Sequence, residues 1–595
     1  MKDFFKYFFA SLLAIVVSGI LLMLVFFGIM GALASSVTSS QVAVIKSNSI
    51  LEIDLSKPIS EIPQANILSA ITGGAPAAEV GLFEIMSAIE LAKADENIKG
   101  IYIKAGNNNN GWATSQQLRK ALEGFKKSGK FIYAYADGIA QKAYYVASVA
   151  DSVFLNPIGN VELKGLSTNI MFYKGLLDKL EVEPEIFYCG KFKSATEPIR
   201  AYKMTPENRA QIAAYQKDLW SEMLVAVSEH TKMDTATIDS LVQKGAIQTS
   251  TDAIQYRLVD GLKYKDEMEQ LLKAKSGIAA DKDLNFASLS DYKSRLSQKP
   301  SNNHIALLIA EGSIVDGRAG ANSDAVIASE DFIKEIRRVR DDENVKAVVL
   351  RVNSPGGSAL ASENILRELQ LLKAKKKLVT SMGDYAASGG YYIACQSDSV
   401  FAMPNTITGS IGVFGIMMNT QKLFNNKLGI TFDVEKNAPM ADMGQMNRPF
   451  TEQERNIIQH GVDTIYSTFK SRVAAGRNLS MEYVDSVGQG RVWTGTAALG
   501  LNLVDGLGGL DRALKAAAKL AGISEYRVVT FPKPTSDIER LLKMVNGKEL
   551  NSSLFAKQMI QNELGYSFDA FQQFKLLMNN QNQIWTMLPF LPDTK

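Results

Sequence analysis

This chain is poor in the residues that most often carry redox, metal or triad chemistry. Across 595 residues there are two cysteines, Cys189 and Cys395, and three histidines, His230, His304 and His460. Two thiols cannot make a disulfide framework, although a single bridge between them stays open on sequence grounds. The histidines give a Ser–His–Asp triad little support. His304 opens a strand-like run, and His230 and His460 lie in polar helical stretches. A surplus of one charge is also missing: 65 Lys and Arg stand against 62 Asp and Glu, for a net +3. There is no long basic run, zinc-type cluster or RNA-binding signature, which argues against a nucleic-acid partner. No metal or cofactor fingerprint is present, so none is expected. Apolar residues are plentiful at 46%, with 21% charged, enough core material for two to four domains.

Charge is absent altogether from Tyr7 to Ala34, a stretch of 28 residues rich in Leu, Val, Ile and Phe. About 20 apolar residues span a bilayer, so a single transmembrane anchor is expected over 7–34. Lys2 and Lys6 precede it, and the next basic residue is Lys46. The positive-inside rule then leaves residues 1–6 in the cytoplasm and the remainder outside it. A cleaved leader ending at Ala32-Leu33-Ala34 is the alternative. Leaders carry apolar cores of roughly 7 to 15 residues, about half the length found here.

Beyond the anchor the sequence repeats itself. Asn97 to Leu166 aligns without a gap onto Asn344 to Val413 at an offset of 247. Asp137/Asp384, Tyr144/Tyr391, Tyr145/Tyr392, Asp151/Asp398, Pro157/Pro404 and Gly165/Gly412 are among the identical pairs. Both copies alternate strand-like and helix-like runs, as βαβ units of a parallel sheet do. The second copy reads strand 305–309, helix 329–340, strand 345–352, helix 361–374 and a strand from Leu378 that ends at the Gly383-Asp384 turn. The first reads strand 98–104, helix 115–127 and strand 131–136. Thr205 and Thr451 are expected N-caps of matching helices. Two tandem α/β domains follow, over 42–297 and 303–531, with a boundary around Ser297 to Asn303 and a helical tail over 532–595.

The copies have lost different things. The second holds Ser354-Pro355-Gly356-Gly357 and Ala387-Ser388-Gly389-Gly390. The first has Asn107 to Asn110 and Ala140-Gln141-Lys142-Ala143 in their places. Ser388 follows a strand and opens a helix, at the sheet edge where α/β folds place their sites. A helix N-terminus has unpaired N–H groups that favour negative charge. One N–H from Gly356 or Gly357 and one from Gly389 would form an oxyanion hole. Read blandly, both glycine pairs are tight turns. A serine nucleophile needs a base, and with histidine poorly placed the alternative is a lysine neutralised by burial. Lys193 follows the apolar run Ile186 to Cys189, beside Phe192 and small Ser194 and Ala195. Counted from the Thr205 and Thr451 helix starts, it falls opposite Pro439. Lys436, the nearest lysine, is three places away. A solvated surface lysine is the bland alternative.

Gly190-Lys191-Phe192-Lys193-Ser194-Ala195-Thr196-Glu197-Pro198, Met382 to Tyr391 and Thr408-Gly409-Ser410-Ile411-Gly412 resemble the long, double-domain form of the bacterial signal peptide peptidase A family. The resemblance covers nearly the whole chain. It implies two ClpP/crotonase-like domains behind an N-terminal transmembrane helix. It implies a serine protease of the bacterial inner membrane, with its catalytic domains on the periplasmic side. Ser388 would be nucleophile and Lys193 general base, with Gly356 or Gly357 and Gly389 in the oxyanion hole and Ser410 orienting the amine. Peptide substrates such as signal-peptide remnants, contact with membrane lipid and a homotetramer are implied as well. Two other readings are a CoA-dependent hydratase or isomerase of the crotonase fold, which needs an acidic residue near the glycine loops, and a non-catalytic membrane scaffold.

Overall fold

A computed structural model of the chain describes residues 2–38, 44–62, 80–292, 295, 301–319, 326–533 and 584–587. The expected domain boundary falls partly on residues outside this set, as do most of the tail and part of the polar link after the anchor. The first described element is one continuous helix, Lys2–Thr38. Among the described residues no helix is long and apolar enough to cross a membrane. Several side chains of the first helix lie outside that set.

The first half contributes β1 (Ser49–Asp54), β2 (Ile98–Lys104), β3 (Phe131–Ala136), β4 (Ser152–Leu155), β5 (Glu183–Tyr188), β6 (Gly261–Leu262) and β7 (Phe286–Ala287). The second contributes β8 (His304–Glu311), β9 (Ser313–Val315), β10 (Val326–Ala328), β11 (Val345–Ser354), β12 (Gly356–Ser358), β13 (Lys377–Ala387), β14 (Ser399–Ala402), β15 (Ile407–Gly409), β16 (Phe414–Asn419), β17 (Val492–Thr494), β18 (Gly506–Leu507) and β19 (Arg527–Phe531). A last strand, β20 (Ile584–Met587), follows far downstream.

The internal repeat reappears as a repeat of topology. The first sheet runs β6-β4-β3-β2-β1-β7, all parallel. In the second half β18-β14-β13-β11-β8-β19 runs in the same order, again parallel. Val348, Val349 and Leu350 of β11 are fully buried, as befits a strand covered on both faces. Helices cover the sheets, and two of their starts were legible. Thr205 accepts from the Asn208 N–H, and Thr451 from the Glu454 N–H with Glu454 reaching back.

Three elements depart from expectation. β13 does not end at Gly383-Asp384 but continues to Ala387. Beyond the turn it finds a new partner in β15, Tyr385 to Ala387 lying opposite Ile407 to Gly409. The helix expected from Ser115 starts at Trp112 instead, because an acceptor from the other domain supports its first turn. In the tail, where a helix was expected, the described residues 584–587 form a strand.

A third sheet joins the halves in the order β10-β9-β12-β20-β16-β5. Within it, β5 of the first half pairs antiparallel with β16 of the second, from Tyr188 opposite Phe414 to Glu183 opposite Asn419. Lys193 lies just after β5 and Ser410 just before β16, so this ladder sets their relative position.

Candidate active site

Ser388 sits at the corner between β13 and the helix Gly389–Ala394. Its backbone is at φ +55°, ψ −116°, a conformation non-glycine residues rarely adopt. Such a backbone costs on the order of 1 to 3 kcal/mol and is held by its surroundings. Here the Ser388 N–H donates to the Gly409 carbonyl at 2.8 Å, and the Ser388 carbonyl accepts from the Tyr392 N–H. The hydroxyl does not cap its own helix. It lies fully buried, with Oγ 2.9 Å from the Nζ of Lys193, 195 residues earlier in the chain.

Lys193 is 1% exposed. Tight backbone packing holds it. The Phe192 N–H donates to the Gln489 carbonyl at 2.9 Å, and Gly490 leaves no room for a side chain. A Cβ there would come within 2.6 Å of the Lys193 Cβ. Gln211, itself buried, donates to the Phe192 carbonyl and the Ser194 hydroxyl. Burial holds the Lys193 amine well below the ordinary lysine range. A neutral amine has two N–H donors and one lone pair. Ser410 offers two acceptors, its Oγ at 3.1 Å and its carbonyl at 3.3 Å. The Ser410 hydroxyl in turn faces the Gly490 carbonyl at 3.4 Å. With both N–H groups drawn to Ser410, the lone pair is left for the Ser388 hydroxyl.

β11 and β13 are adjacent, with Ser354 opposite Ala386, so both glycine motifs end neighbouring strands. Gly389 opens the helix, where the first N–H groups have no intrahelical acceptor. Gly356 takes φ +100°, and its N–H donates to the buried Ser354 hydroxyl at 3.1 Å. That Ser354 contact carries no motif signal. Gly390 packs on the same turn: a Cβ there would meet the Ser354 carbonyl at 2.6 Å.

The matching corner of the first half is filled differently. Gln141 stands where the repeat has Ser388. Its Oε1 accepts from the Lys164 and Gly165 N–H groups at 2.9 and 3.1 Å, and its Nε2 donates to the Gly165 carbonyl at 3.0 Å. All its amide groups are turned to structure. None of the histidines hydrogen-bonds Ser388. His230 is buried with Nε2 3.5 Å from Asp260 and its pKa lowered by that burial. Both cysteines are free thiols. Burial pushes each up to about 12, aided at Cys189 by the Asp463 carboxylate.

Two repeated α/β domains with a buried hydroxyl and a buried amine at their junction have the architecture of a serine hydrolase. The family model for Peptidase family S49 matches twice, over residues 124–279 and 370–524. The chain belongs to that family and is a serine protease. It is similar to Protease 4 of Salmonella typhi, at 35% identity over 79% of this chain and 76% of that one. It is also similar to the chloroplastic serine protease SPPA of Arabidopsis thaliana, at 31% over 76% of this chain and 68% of that one. A putative signal peptide peptidase SppA of Enterococcus faecium matches at 33% over 40% of this chain and 70% of its own. Among solved structures, a ClpP1 mutant from Listeria monocytogenes covers 35% of this chain and 94% of its own, with 14% identity and a TM-score of 0.24. That likeness is too slight to carry an argument about the fold.

Proposed function

We propose that the chain is a membrane-anchored endopeptidase that degrades cleaved signal peptides, with Ser388 as nucleophile and Lys193 as general base. The observation that carries this reading is the 2.9 Å approach of a fully buried amine to a fully buried hydroxyl. Neutral Lys193 takes the Ser388 proton as Oγ attacks the peptide carbonyl. N–H groups of Gly389 and of Gly357, or of Gly356 once it releases the Ser354 hydroxyl, hold the oxyanion, and one such donor is worth about 10² to 10³ in rate. Lys193 passes its proton to the leaving amine. Water, activated by the same amine, then releases the acyl group from Ser388.

The signal-peptide substrate is proposed from the similarity to the putative signal peptide peptidase SppA of Enterococcus faecium. The anchor rests on the sequence: 28 uncharged residues, at about 1.5 Å each, exceed the ~30 Å of a bilayer core. With Lys2 and Lys6 inside, both domains lie on the outer side of a bacterial inner membrane. The domains take the ClpP/crotonase-like form, 42–297 supplying the base and 303–531 the nucleophile. A homotetramer is the proposed assembly. Leu428, Ile430, Phe432 and Val434 are all exposed and alternate along one segment, an apolar edge suited to a second copy.

A serine-reactive probe and hydrolysis of an apolar leader peptide in detergent test the dyad. Wild type should be labelled at Ser388 and cleave the peptide. Ser388→Ala and Lys193→Ala should do neither while keeping their assembly state. Full turnover by Lys193→Ala would refute the reading.

A further inference from the structure

The turn between the helix Met481–Val487 and β17, residues 488–491, touches both residues that govern the amine. On one side the Gln489 carbonyl takes the Phe192 N–H at 2.9 Å, and the Gly490 backbone lies against Lys193. On the other the Arg491 carbonyl takes the Ser410 N–H at 2.7 Å, and the Gly490 carbonyl faces the Ser410 hydroxyl. The turn is thus a wedge between the residue that bears the amine and the residue that aims it. Its backbone is strained. Gln489 has φ +54° without being glycine. Such a conformation persists only where the surroundings enforce it.

Two side chains enforce it from behind. Tyr466, on the helix Glu452–Arg477, is buried, and its hydroxyl accepts the Gln489 N–H at 3.2 Å. The same hydroxyl donates to the Asp485 carboxylate at 2.9 Å. Asp485 also takes the Gln489 side-chain amide at 2.8 Å and the Lys470 ammonium at 2.9 Å. Gln489 is therefore fixed at its N–H and at its side chain by one network anchored on two helices. The other titratable groups packed there, Cys189 and Asp463, bond each other at 3.0 Å. None of these groups reaches the amine, whose hydrogen-bond partners among the described residues are Ser388 and Ser410.

We propose that Tyr466 and Asp485 are positioning residues for the base, acting through Gln489 to keep the Lys193 amine dry and aimed at Ser388. This rests on the Ser388–Lys193 reading. Burial is what holds the amine below the ordinary lysine range. With the clamp released, the strained turn relaxes away from Lys193 and Ser410, and water enters beside the amine. Its pKa then climbs back toward about 10.4. A larger share of the amine is protonated at neutral pH and unable to take the Ser388 proton. Loss of the clamp therefore reads as a pH effect on turnover, which a loss of helix packing alone does not produce.

The test uses the full-length chain in detergent, with kcat and KM for an apolar leader peptide measured from about pH 6 to 10, the range a buried lysine spans. Tyr466→Phe keeps the ring and deletes the hydroxyl. Asp485→Ala deletes the carboxylate, and Asp485→Asn keeps an oxygen for the Tyr466 hydroxyl. At pH near 7, Tyr466→Phe and Asp485→Ala should each lose about 10-fold in kcat, at the low end of acid–base assistance, with KM little changed. Their rise of activity with pH should begin at higher pH than in wild type, so that the deficit shrinks toward pH 10. Asp485→Asn should recover much of the loss. Tyr466→Phe decides the matter alone if Asp485→Ala does not fold. A lower Tm with the wild-type kcat and pH limb would overturn the proposal, because the hydroxyl would then only join two helices. So would a slower enzyme whose limb has not moved. Failure of the dyad itself would show separately, as turnover by Lys193→Ala.

Discussion

The Asp384 carboxylate accepts two hydrogen bonds from Thr114, one from its backbone N–H at 2.9 Å and one from its hydroxyl at 2.6 Å, across 270 residues of chain. Thr114 is the third residue of the helix Trp112–Lys126, whose own N-cap, Gly111, has no side chain to offer. Asp384 therefore caps a first-domain helix from the second domain. A Cβ on Gly111 would fall 2.0 Å from the Asp384 Cγ, so glycine there makes room for the carboxylate. Asp384 lies four residues before Ser388, and this contact joins the nucleophile's strand to the domain that carries Lys193.

Removing that cap should loosen the domain junction. Loss of a capping side chain typically costs about 1 kcal/mol, and Thr114 is buried. Asp384→Ala is expected to lower Tm by about 2 °C, the shift that about 1 kcal/mol gives in a domain of this size, and to reduce kcat more than it raises KM. Asp384→Asn keeps an acceptor oxygen and should recover much of both losses. Calorimetry with steady-state kinetics on the two variants checks this. Equal defects in Asn and Ala would argue against the cap.

Lys193→Met separates chemistry from folding. It keeps the stem's bulk and deletes the amine. Loss of a general base should cost roughly 10² to 10⁴ in rate or more. Stability should move the other way. The amine's folded pKa lies below its unfolded value near 10.4. As pH falls below about 10, the unfolded chain takes up a proton that the native chain refuses, so wild-type stability drops until the depressed folded pKa is reached. Lys193→Met lacks this decline. Its advantage in chemical denaturation should widen from pH 10 downward and then level off. A constant difference across that range would contradict a neutral buried amine.

The doubled α/β architecture was legible because the two copies keep the same apolar runs, and the runs fold into sheets of the same strand order. Ser388 and Lys193 stood out because each half retained what the other had lost. Their meeting was not legible, since β5 and β16 pair across a gap of more than 200 residues and no periodicity records a partner so far away. The Asp384 cap was hidden for the same reason: a helix start supported from another domain carries no local signal. Ser354 was passed over as part of a glycine turn, yet its hydroxyl takes the Gly356 N–H. β20 lies in a stretch whose composition reads as helical, and only the open edges of β12 and β16 draw it into a strand.

Glu311 offers a pH dependence away from the active site. Burial, with the Glu61 charge nearby, pushes its carboxyl up to about 7. It accepts from the Glu61 and Ile62 N–H groups, while Glu61 pairs with fully buried Arg351 at 2.7 Å. A carboxyl raised in the folded state stabilises most below its unfolded pKa, and that contribution is lost as pH rises through about 7. Glu311→Gln should therefore remove a decline in stability between about pH 4 and 7, and should exceed wild type above it. Denaturation midpoints at pH 5, 7 and 8.5 would reveal this. A wild-type curve parallel to the variant's would show that Glu311 is already ionised in the fold.

Ser410→Ala tests whether the amine is aimed as well as buried. The backbone at Ser410 has φ +50°, and alanine has the same Cβ, so the substitution adds no new strain. It removes one of the two acceptors for the amine N–H groups and leaves the Ser410 carbonyl. The lone pair then loses its fixed direction, and kcat should fall about 10- to 100-fold, within the usual span of acid–base assistance, with little change in KM. An acceptor also favours the protonated amine, so losing it should lower the Lys193 pKa further. Activity in wild type should rise with pH through that pKa, and in Ser410→Ala the rise should begin at lower pH. A slower enzyme with an unmoved pH limb would mean that Ser410 only packs the cleft. A slower enzyme whose limb shifts toward acid would mark it as the group that points the base at Ser388.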